Sequence, residues 1–443
     1  MFKTLKNAWK IPELKSKLLF TLLIVIIYRI GSAIPVPYLA ENALTQMTGG
    51  LSGTMFDYFN TLSGGMFYQA TLFALSVSPY ITASIVMQLL TIAIPALERL
   101  SKEGEEGRAK INKITRYVTV GLSLITAYGY TMLLRSYNAF NFVDGEAWDV
   151  FKYIVVIACY CAGASIVMWI AERINEHGIG NGISIILFVN IVSSIPGIAQ
   201  QLWRLVFTGG AFSGFDIWGL LLALGCIVVI LAVIVLIVCV TNSERRIPIQ
   251  YAKRVVGRKM YGGQGTNLPL KVNMTGVMPI IFASSIASLP ATLAAFFPKV
   301  QWLTWISTHF GYNSWIYVLI SVILIVAFSY FYVMISFNPV EVANNIKDNG
   351  GAVPGIRPGK PTSDYIKKIL NRITAIGAVF LCFVSCFPMI ITIVSGYFNL
   401  GIANVAQFAF GGTSIIIVIG VALETIRELE AQMTMRNYKG FLD

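Results

Sequence analysis

Long runs of apolar residues, separated by shorter polar segments, dominate the pattern along the chain. A helix that crosses the hydrocarbon core of a bilayer needs about 20 apolar residues, because each residue adds about 1.5 Å to a thickness of roughly 30 Å. The pattern predicts ten membrane-spanning helices, at about residues 18–34, 70–97, 115–137, 151–171, 182–206, 215–241, 274–298, 314–337, 373–397 and 404–426. We therefore expect an all-α polytopic membrane protein.

Composition supports this class of protein. The 443 residues are 56% hydrophobic and only 12% charged, whereas an ordinary soluble domain carries about 25% charged residues. A soluble enzyme and a disordered chain are both excluded by these values. The net charge of +12 would suggest nucleic acid as a partner in a soluble protein, but the positions of the charges favour another explanation.

Basic residues lie almost entirely in alternate connections. Of the 33 Lys and Arg residues, all but five fall in the N-terminal segment, in the connections after the even-numbered spans, or in the C-terminal tail. The exceptions are Arg29, Arg135, Lys152, Arg204 and Lys299. Because positively charged connections remain on the cytoplasmic side, we predict that both termini are cytoplasmic.

The predicted spans divide evenly about Gly209-Gly210, with five before and five after. We assign residues 1–208 to an N-terminal half and residues 209–443 to a C-terminal half. An odd number of spans gives the two halves opposite orientations in the membrane, which permits an inverted repeat with a pathway between the halves. Clear sequence similarity between the halves is not evident, so the repeat is permitted rather than demonstrated.

Two cytoplasmic connections, at about 242–273 and 338–372, are long and basic. The second contains the hexapeptide PGIRPG at 354–359. Prolines on both sides of Ile356-Arg357 stiffen this turn and direct the arginine. Residues that serve only to orient a membrane protein need charge but no defined shape, so the shaped tip favours a docking surface.

Catalytic and metal-binding chemistry has little material in this chain. The six cysteines lie within apolar stretches, which is unfavourable for disulfides or a zinc site, and only two histidines are present. There is no G-x-x-x-x-G-K-[ST] phosphate-binding loop. We expect no enzyme activity and no cofactor, and any energy from ATP would come from a partner.

Charged residues are nearly absent from the centres of the predicted spans. Ion-coupled transporters usually place such residues at mid-membrane, whereas here Arg29 and Glu424 lie near span ends. This weakens the alternative interpretation, a polytopic secondary transporter for small solutes. A membrane-embedded enzyme is weaker still, because it would need paired acids, histidine, or serine with a base at depth.

Two of the predicted helices carry polar stripes along one face. The positions are Ser84, Gln88 and Thr91 on the second span, and Ser285, Ser288 and Thr292 on the seventh, with Asn273 at its cytoplasmic entrance. Small polar residues commonly pack membrane helices together. The same weak contacts suit a seam that can open, and the stripes alone do not decide between the two interpretations.

A short apolar segment follows the first span, with Met55, Phe56, Phe59 and Leu62 on its apolar side. Nine helical residues reach only about 13–14 Å, which is too short to cross a bilayer. Gly64 and Gly65 follow as a hinge. We predict a short helix on the outer side, which is either interfacial or a stopper.

These features together resemble the SecY family, the central subunit of the bacterial protein-translocation channel. The resemblance extends over nearly the whole chain and is carried by RIGSAIPVP (29–37), LSGGMFYQATLFALSVSPYITASIVMQLL (62–90), KEGEEGRAKINKITRY (102–117), ERINEHGIGNGISIILF (172–188), RRIPIQYAKRVVGRKMYGGQGTNLPLKVNMTGVMP (245–279), FASSI (282–286), FNPVEVANNIKDNGGAVPGIRPG (337–359) and FGGTSIIIVIG (410–420). It implies an hourglass pore between two pseudo-symmetric inverted halves of five helices in the bacterial inner membrane.

The resemblance also implies roles for particular residues. A ring of apolar side chains at the waist of the pore would consist of Val77, Ile81, Ile183, Leu187, Ile281 and Ile417. Val77 and Leu187 depart from the isoleucine that is common in the family, and both keep its branched apolar character. The short helix, within about 54–68, would be the plug, and the two polar stripes would form a lateral gate through which signal sequences and transmembrane segments enter the lipid.

The partners implied by the resemblance are a motor, a ribosome and two small membrane subunits. The SecA ATPase and the ribosome would dock on the basic connections at Arg245, Arg246, Lys253, Arg254, Arg258, Lys259, Arg357 and Lys360. Contact with ribosomal RNA would be electrostatic and not sequence-specific. SecE and SecG would be the membrane partners, and nascent chains with their signal peptides would be the cargo.

Overall fold

The structure is a computed structural model, and the residues that it describes are 2–40, 55–140, 149–207, 217–251, 254–256, 259–261, 265–296, 314–398 and 412–439. Helices make up most of these residues, as the apolar pattern predicts. Within the described ranges, strands occur only in the two long connections at about 242–273 and 338–372.

The described part of the N-terminal half is entirely helical apart from turns and two isolated bridges. Its helices are α1 (Phe2–Trp9), α2 (Pro12–Gly31), α3 (Met55–Ser63), α4 (Ser78–Ala93), α5 (Pro95–Lys102), α6 (Glu105–Ser136), α7 (Asp149–His177), α8 (Gly182–Ser193) and α9 (Ile195–Val206). Proline stands in the first turn of α2, α4, α5 and α9, where its missing N–H costs nothing.

The C-terminal half alternates long helices with the two structured connections. Its elements are α10 (Ile217–Asn242), β1 (Glu244–Tyr251), β2 (Arg254–Val256), β3 (Lys259–Tyr261), β4 (Gly265–Lys271), α11 (Met278–Phe296), α12 (Trp315–Ser336), α13 (Pro339–Asp348), β5 (Gly351–Ala352), α14 (Lys360–Phe398) and α15 (Gly412–Lys439). Helix α14 therefore begins within the predicted connection 338–372 and continues into the ninth predicted span.

Five of the described helices are long and apolar enough to cross a membrane, or six if the bent pair α4 and α5 counts as one span. That pair bends by 100°, and α8 and α11 qualify only as shorter apolar helices. Every predicted apolar run overlaps at least one helix. The chain is therefore a multi-pass membrane protein, and the count of ten spans stays a prediction.

These two long connections meet in one sheet, which the apolar pattern did not predict. Strand β1 pairs antiparallel with β4 and with β5, in the order β4-β1-β5, and β2 pairs with β3 in a separate hairpin. Ile247 and Ile249 on β1 are buried and alternate with exposed neighbours, as expected for a sheet with one covered face. They share an apolar cluster with Leu270, Ile346 and Val353.

A tight glycine turn reverses the chain between α7 and α8. Gly180 has a φ of +80°, a conformation that only glycine adopts at low cost. Asn181 caps α8, because its side chain accepts hydrogen bonds from the backbone N–H groups of Ile183 and Ser184 at 3.1 and 3.4 Å. A Cβ on Gly182 would lie 2.0 Å from the backbone oxygen of Ala171, so α8 can approach α7 closely only with glycine there.

We expect Gly182→Ala to lower the thermal unfolding midpoint of the purified protein in detergent, because the added methyl group overlaps backbone rather than a movable side chain. The expected loss is about 1–3 kcal/mol, the usual range for overpacking. Gly225→Ala on α10 is the control, since a Cβ there would meet no atom within 4 Å. Equal midpoints for the two variants would contradict the close approach of α7 and α8.

Candidate pore, plug and lateral gate

The six predicted ring residues lie in one apolar cluster. They are Val77 and Ile81 at the start of α4, Ile183 and Leu187 on α8, Ile281 on α11, and Ile417 on α15. Ile183 is half-buried, and each of the other five is at most 5% exposed. Branched apolar side chains offer water no hydrogen-bond partner, so the cluster excludes water from the space where these helices meet.

The cluster joins the two halves of the chain. Helices α4 and α8 belong to residues 1–208, and α11 and α15 belong to residues 209–443. Helix α4 packs against α11, and α8 packs against α15. The predicted ring residues therefore come together across the division that the span count indicates.

The short helix α3 covers Met55–Ser63 and agrees with the predicted short helix to within a residue. Phe56 and Phe59 stack on Phe67, with ring centroids 5.7 and 6.2 Å apart. Leu62 packs against the cluster that holds the ring residues. The side chain of Met55 and all of residue 54 lie outside the described residues.

The helix ends at the two glycines that the sequence marks as a hinge. Gly64 and Gly65 have φ values of +68° and +91°, which favour glycine. The backbone N–H of Gly65 donates to the carbonyl of Asn60 at 2.8 Å, so the turn also satisfies a carbonyl at the helix end. A Cβ on Gly64 would lie 2.9 Å from the backbone oxygen of Asn190, which shows how closely the turn approaches α8.

A buried asparagine contacts the end of α3, and the polar stripes gave no indication of it. The Nδ2 group of Asn190 donates to the carbonyl of Leu62 at 2.9 Å and to Ser76 Oγ at 3.2 Å. Its Oδ1 accepts from Tyr28 OH at 3.0 Å. In the sequence, the feature that could have indicated this residue is its single amide side chain within the apolar run FVNIV of α8.

Arg29 has a defined partner next to this asparagine. Its Nη2 donates to the carbonyl of Val189 at 2.6 Å. Helix α2 thus contacts consecutive residues of α8, through Arg29 at Val189 and through Tyr28 at Asn190. The arginine near the outer end of the first predicted span is therefore tied to its neighbour.

The two helices with polar stripes are neighbours, since α4 packs against α11. Several stripe hydroxyls bond to their own helix: Thr91 donates to the carbonyl of Met87 at 2.7 Å, and Ser285 to that of Ile281 at 2.7 Å. Ser84 is half-buried and Asn273 is buried in the turn before α11. Ser288 is buried on α11, and the side chain of Thr292 lies outside the described residues.

Gln88 reaches across the boundary between the halves. Its Oε1 accepts a hydrogen bond from Tyr332 OH at 2.6 Å, which links α4 to α12 on the other half. The Tyr332 ring packs on Phe282 of α11, with centroids 5.0 Å apart. Tyr332 was missed from the sequence because it lies in an aromatic-rich stretch of α12 with no stripe.

One cavity of about 230 Å³ is lined by residues of the short helix α3, of the predicted ring and of the polar stripe on α11. Phe56 and Phe59 of α3 border it, together with Ile81 and Ile281 from the ring residues and Ser285 from the α11 stripe. Residues of α6 close its side. The cavity is mostly apolar, so it suits an apolar occupant.

The described basic docking candidates lie on the two long connections that the sheet joins. Arg245 and Arg246 are exposed on β1, and Arg246 Nη2 pairs with Glu244 Oε1 at 2.6 Å. Arg357 and Lys360 are exposed at the tip of the second connection, where Ile356 packs into the apolar cluster beneath the sheet. The tip is therefore attached to a folded base.

The structure does not describe the side chains of the other four docking candidates. Lys253 and Arg258 lie outside the described residues, as do the side chains of Arg254 and Lys259. The backbones of Arg254 and Lys259 are described, and these residues begin strands β2 and β3 of the hairpin. Among the described residues, no group of three or more His, Cys, Asp or Glu side chains could hold a metal ion.

Helices long and apolar enough to cross a membrane, with one apolar cluster shared by the two halves, are typical of a polytopic membrane protein of the channel type. The sequence model of the SecY family matches residues 71–426. The chain is 42% identical to the protein translocase subunit SecY of Streptomyces galbus over 451 residues, and 42% identical to that of Bacillus subtilis over 447 residues, with full coverage of both chains in each case. The chain belongs to the SecY family.

Solved structures have the same fold. A protein-conducting channel matches with a TM-score of 0.62 at 18% identity, over 95% of this chain and 92% of that one. Sec61 in the canine ribosome–channel complex from the endoplasmic reticulum matches with a TM-score of 0.58 at 16% identity, over the same shares of the two chains. The mainly helical fold is thereby confirmed.

Tyr332→Phe should weaken the contact between α4 and α12, because it removes the hydroxyl that donates to Gln88 and keeps the ring. Loss of a hydrogen bond of this kind costs about 1 kcal/mol. The fraction of molecules in which α4 is separated from α11 should therefore rise roughly fivefold. Spin labels at Val86 and Leu289, in a variant without the six native cysteines, would report the distance distribution.

Tyr330→Phe is the matched control for this measurement. Its hydroxyl donates to the carbonyl of Asn371 at 3.4 Å, away from α4. We expect the Tyr330→Phe distribution to equal that of the parent. A Tyr332→Phe distribution that also equals the parent would show that the bond to Gln88 does not hold the boundary closed.

Proposed function

We propose that this chain is the protein-conducting channel subunit of the general secretory translocase in the bacterial inner membrane. The observation that carries the proposal is the apolar cluster to which both halves contribute, in a chain that belongs to the SecY family along its length, and we infer that this cluster forms a constriction. Unfolded secretory proteins pass through the constriction. The family favours this function over a secondary transporter for small solutes, and the chain is a channel subunit rather than an enzyme.

The six ring residues act as the seal of the pore. Flexible apolar side chains close around a passing polypeptide without binding any particular sequence, and they exclude ions when the pore is empty. Their burial in one cluster, contributed by α4, α8, α11 and α15, supports this role. The two halves, 1–208 and 209–443, separate slightly to widen the ring.

Helix α3 with the following turn, within 54–68, acts as the plug. It is short, it is stacked on Phe67 through Phe56 and Phe59, and it ends at the glycines that let it swing. Met55, Leu62, Gly64 and Gly65 complete the predicted plug residues. Stacking of a few aromatic rings is strong enough to seat the helix and weak enough to release it.

The boundary between α4 and α11 acts as the lateral gate. The gate residues are Ser84, Gln88, Thr91, Asn273, Ser285, Ser288 and Thr292, with Tyr332 added by its bond to Gln88. The apolar cavity behind this boundary accepts the hydrophobic face of a signal sequence. A sufficiently apolar segment then moves into lipid, because partitioning favours the hydrocarbon core.

The joined cytoplasmic connections act as the docking surface for SecA and for the ribosome. Arg245, Arg246, Arg357 and Lys360 are exposed there, and we include Lys253, Arg254, Arg258 and Lys259 among the proposed docking residues on the basis of the sequence. Acidic protein faces and ribosomal RNA phosphates are both suited to it. SecE and SecG complete the complex in the membrane, and both termini of this chain are cytoplasmic.

Transport into sealed proteoliposomes tests this function. The vesicles contain the chain with SecE, and they receive SecA, ATP and a secretory precursor. We expect ATP-dependent protection of the precursor from protease, and loss of that protection when the chain is omitted. Unprotected precursor, in vesicles with correctly oriented chain and active SecA, would contradict motor-driven transport.

Arg357→Glu should leave insertion and folding intact and slow SecA-driven transport by roughly tenfold or more, since reversing one charge at an interface costs at least about 1.5 kcal/mol. Lys113→Glu is the control, because it makes the same charge change on another exposed cytoplasmic site. Initial rates of precursor protection are the measurement. Equal rates for both variants would remove Arg357 from the docking surface.

Ile417→Asn should raise the resting ion conductance in planar bilayers, because the amide supplies hydrogen-bond partners for water at a fully buried position of the ring. Ile417→Leu keeps the side chain apolar and should conduct like the parent. If the asparagine variant also conducts like the parent, Ile417 does not belong to the seal.

A further inference from the structure

The buried amide of Asn190 is the most conspicuous polar group inside the apolar body of the N-terminal half. It lies on α8 with 0% of its surface exposed. A buried amide without partners is strongly unfavourable, so its position must be stabilised by the groups around it. Those groups identify what the residue holds together.

Three partners from three different segments surround it. Tyr28 comes from α2, the carbonyl of Leu62 from the last turn of α3, and Ser76 from the turn before α4. We call these groups and Asn190 together the Asn190 hub. One side chain therefore connects α3 with α2, α8 and the start of α4.

The orientation of the amide follows from the chemistry of its partners. A backbone carbonyl can only accept, so the group that faces Leu62 must be the NH₂ of Asn190. The second N–H of that group is directed to Ser76 Oγ, and the carbonyl oxygen is left for Tyr28 OH. Both N–H donors and the oxygen are used, and the hub is complete only while Leu62 stays in place.

The hub differs in kind from the aromatic stacking that also seats α3. The contacts of Phe56 and Phe59 with Phe67 are apolar, and apolar contacts tolerate sliding. Hydrogen bonds are directional and lose most of their strength beyond normal length. Displacement of α3 removes the acceptor of one Asn190 N–H in a site that is otherwise closed to water.

We propose that Asn190 is the positioning residue that holds α3 in its closed seat, and that the Asn190 hub sets how often the pore opens without a substrate. The proposal rests on the proposed function, in which α3 is the plug. Opening by a substrate succeeds because binding of the arriving polypeptide offsets the loss of the Asn190–Leu62 hydrogen bond, whereas thermal opening must break that bond with no such compensation.

Asn190→Leu tests the hub, because leucine has a similar volume and no polar group. The full chain is reconstituted in planar bilayers without a substrate, and the resting ion conductance is measured. We expect a rise of roughly tenfold, since the change removes the directional contact of the plug. Ser184→Ala, which removes a buried hydroxyl from the same helix, should leave the conductance unchanged.

A second readout separates positioning from general destabilisation. In a variant without the six native cysteines, a cysteine replaces Thr61 on α3, and its alkylation by a membrane-impermeant maleimide from the outer side is timed. Asn190→Leu should speed alkylation by roughly tenfold while the thermal unfolding midpoint stays close to that of Ser184→Ala. A fall in the midpoint without faster alkylation would overturn the proposal.

Tyr28→Phe provides an independent variant if Asn190→Leu does not insert. The ring keeps its stacking on Phe73, with centroids 5.6 Å apart, and only the hydroxyl is lost. We expect a smaller rise in conductance than for Asn190→Leu, and no further rise when both changes are combined, because residues of one network are not additive. Additive effects would overturn the hub.

Deletion of residues 55–63 distinguishes this inference from the proposed function. If the deletion leaves the resting conductance unchanged, α3 is not the plug, and the proposed role of α3 fails. If the deletion raises the conductance but Asn190→Leu and Tyr28→Phe behave like the parent, α3 is the plug and the Asn190 hub does not hold it.

Discussion

Burial of branched apolar side chains where α4, α8, α11 and α15 meet is the interaction on which the rest of the structure depends. The chain must cross a membrane and still keep a closable route between its halves. A polar constriction would hold water and bind a passing polypeptide, and a rigid apolar one would block it. Isoleucine, leucine and valine side chains pack densely there, and five of the six predicted ring residues are nearly fully buried.

Polar contacts lie beside this apolar cluster and limit how it can change. The Asn190 hub connects α3 with three segments of the N-terminal half, and the Gln88–Tyr332 bond joins the two halves. Such bonds contribute little to net stability, but each is costly to leave unpaired in an apolar site. These hydrogen bonds therefore favour the observed positions of the helices without making that arrangement permanent.

The two long basic connections combine charge with a defined shape. Strand β1 of the first connection pairs with β5 of the second, and Ile247, Ile249 and Val353 form a common apolar base. Exposed arginines are thereby held on a folded platform. Helix α14 begins at Lys360 in the second connection and extends to Phe398, so this platform is continuous with one of the long apolar helices.

Apolar run length, the distribution of Lys and Arg, and local turn chemistry are properties of the sequence itself. They determined that the chain is a multi-pass membrane protein, that α3 is too short to cross, and that Gly64 and Gly65 end this short helix. Only the tertiary structure decided the partners of Asn190, the bond between Gln88 and Tyr332, and the pairing of β1 with β5. These contacts join residues that are far apart along the chain, and no local pattern encodes which distant surfaces meet. A lone amide or tyrosine in an apolar run looks the same whether it packs, faces lipid or joins two helices.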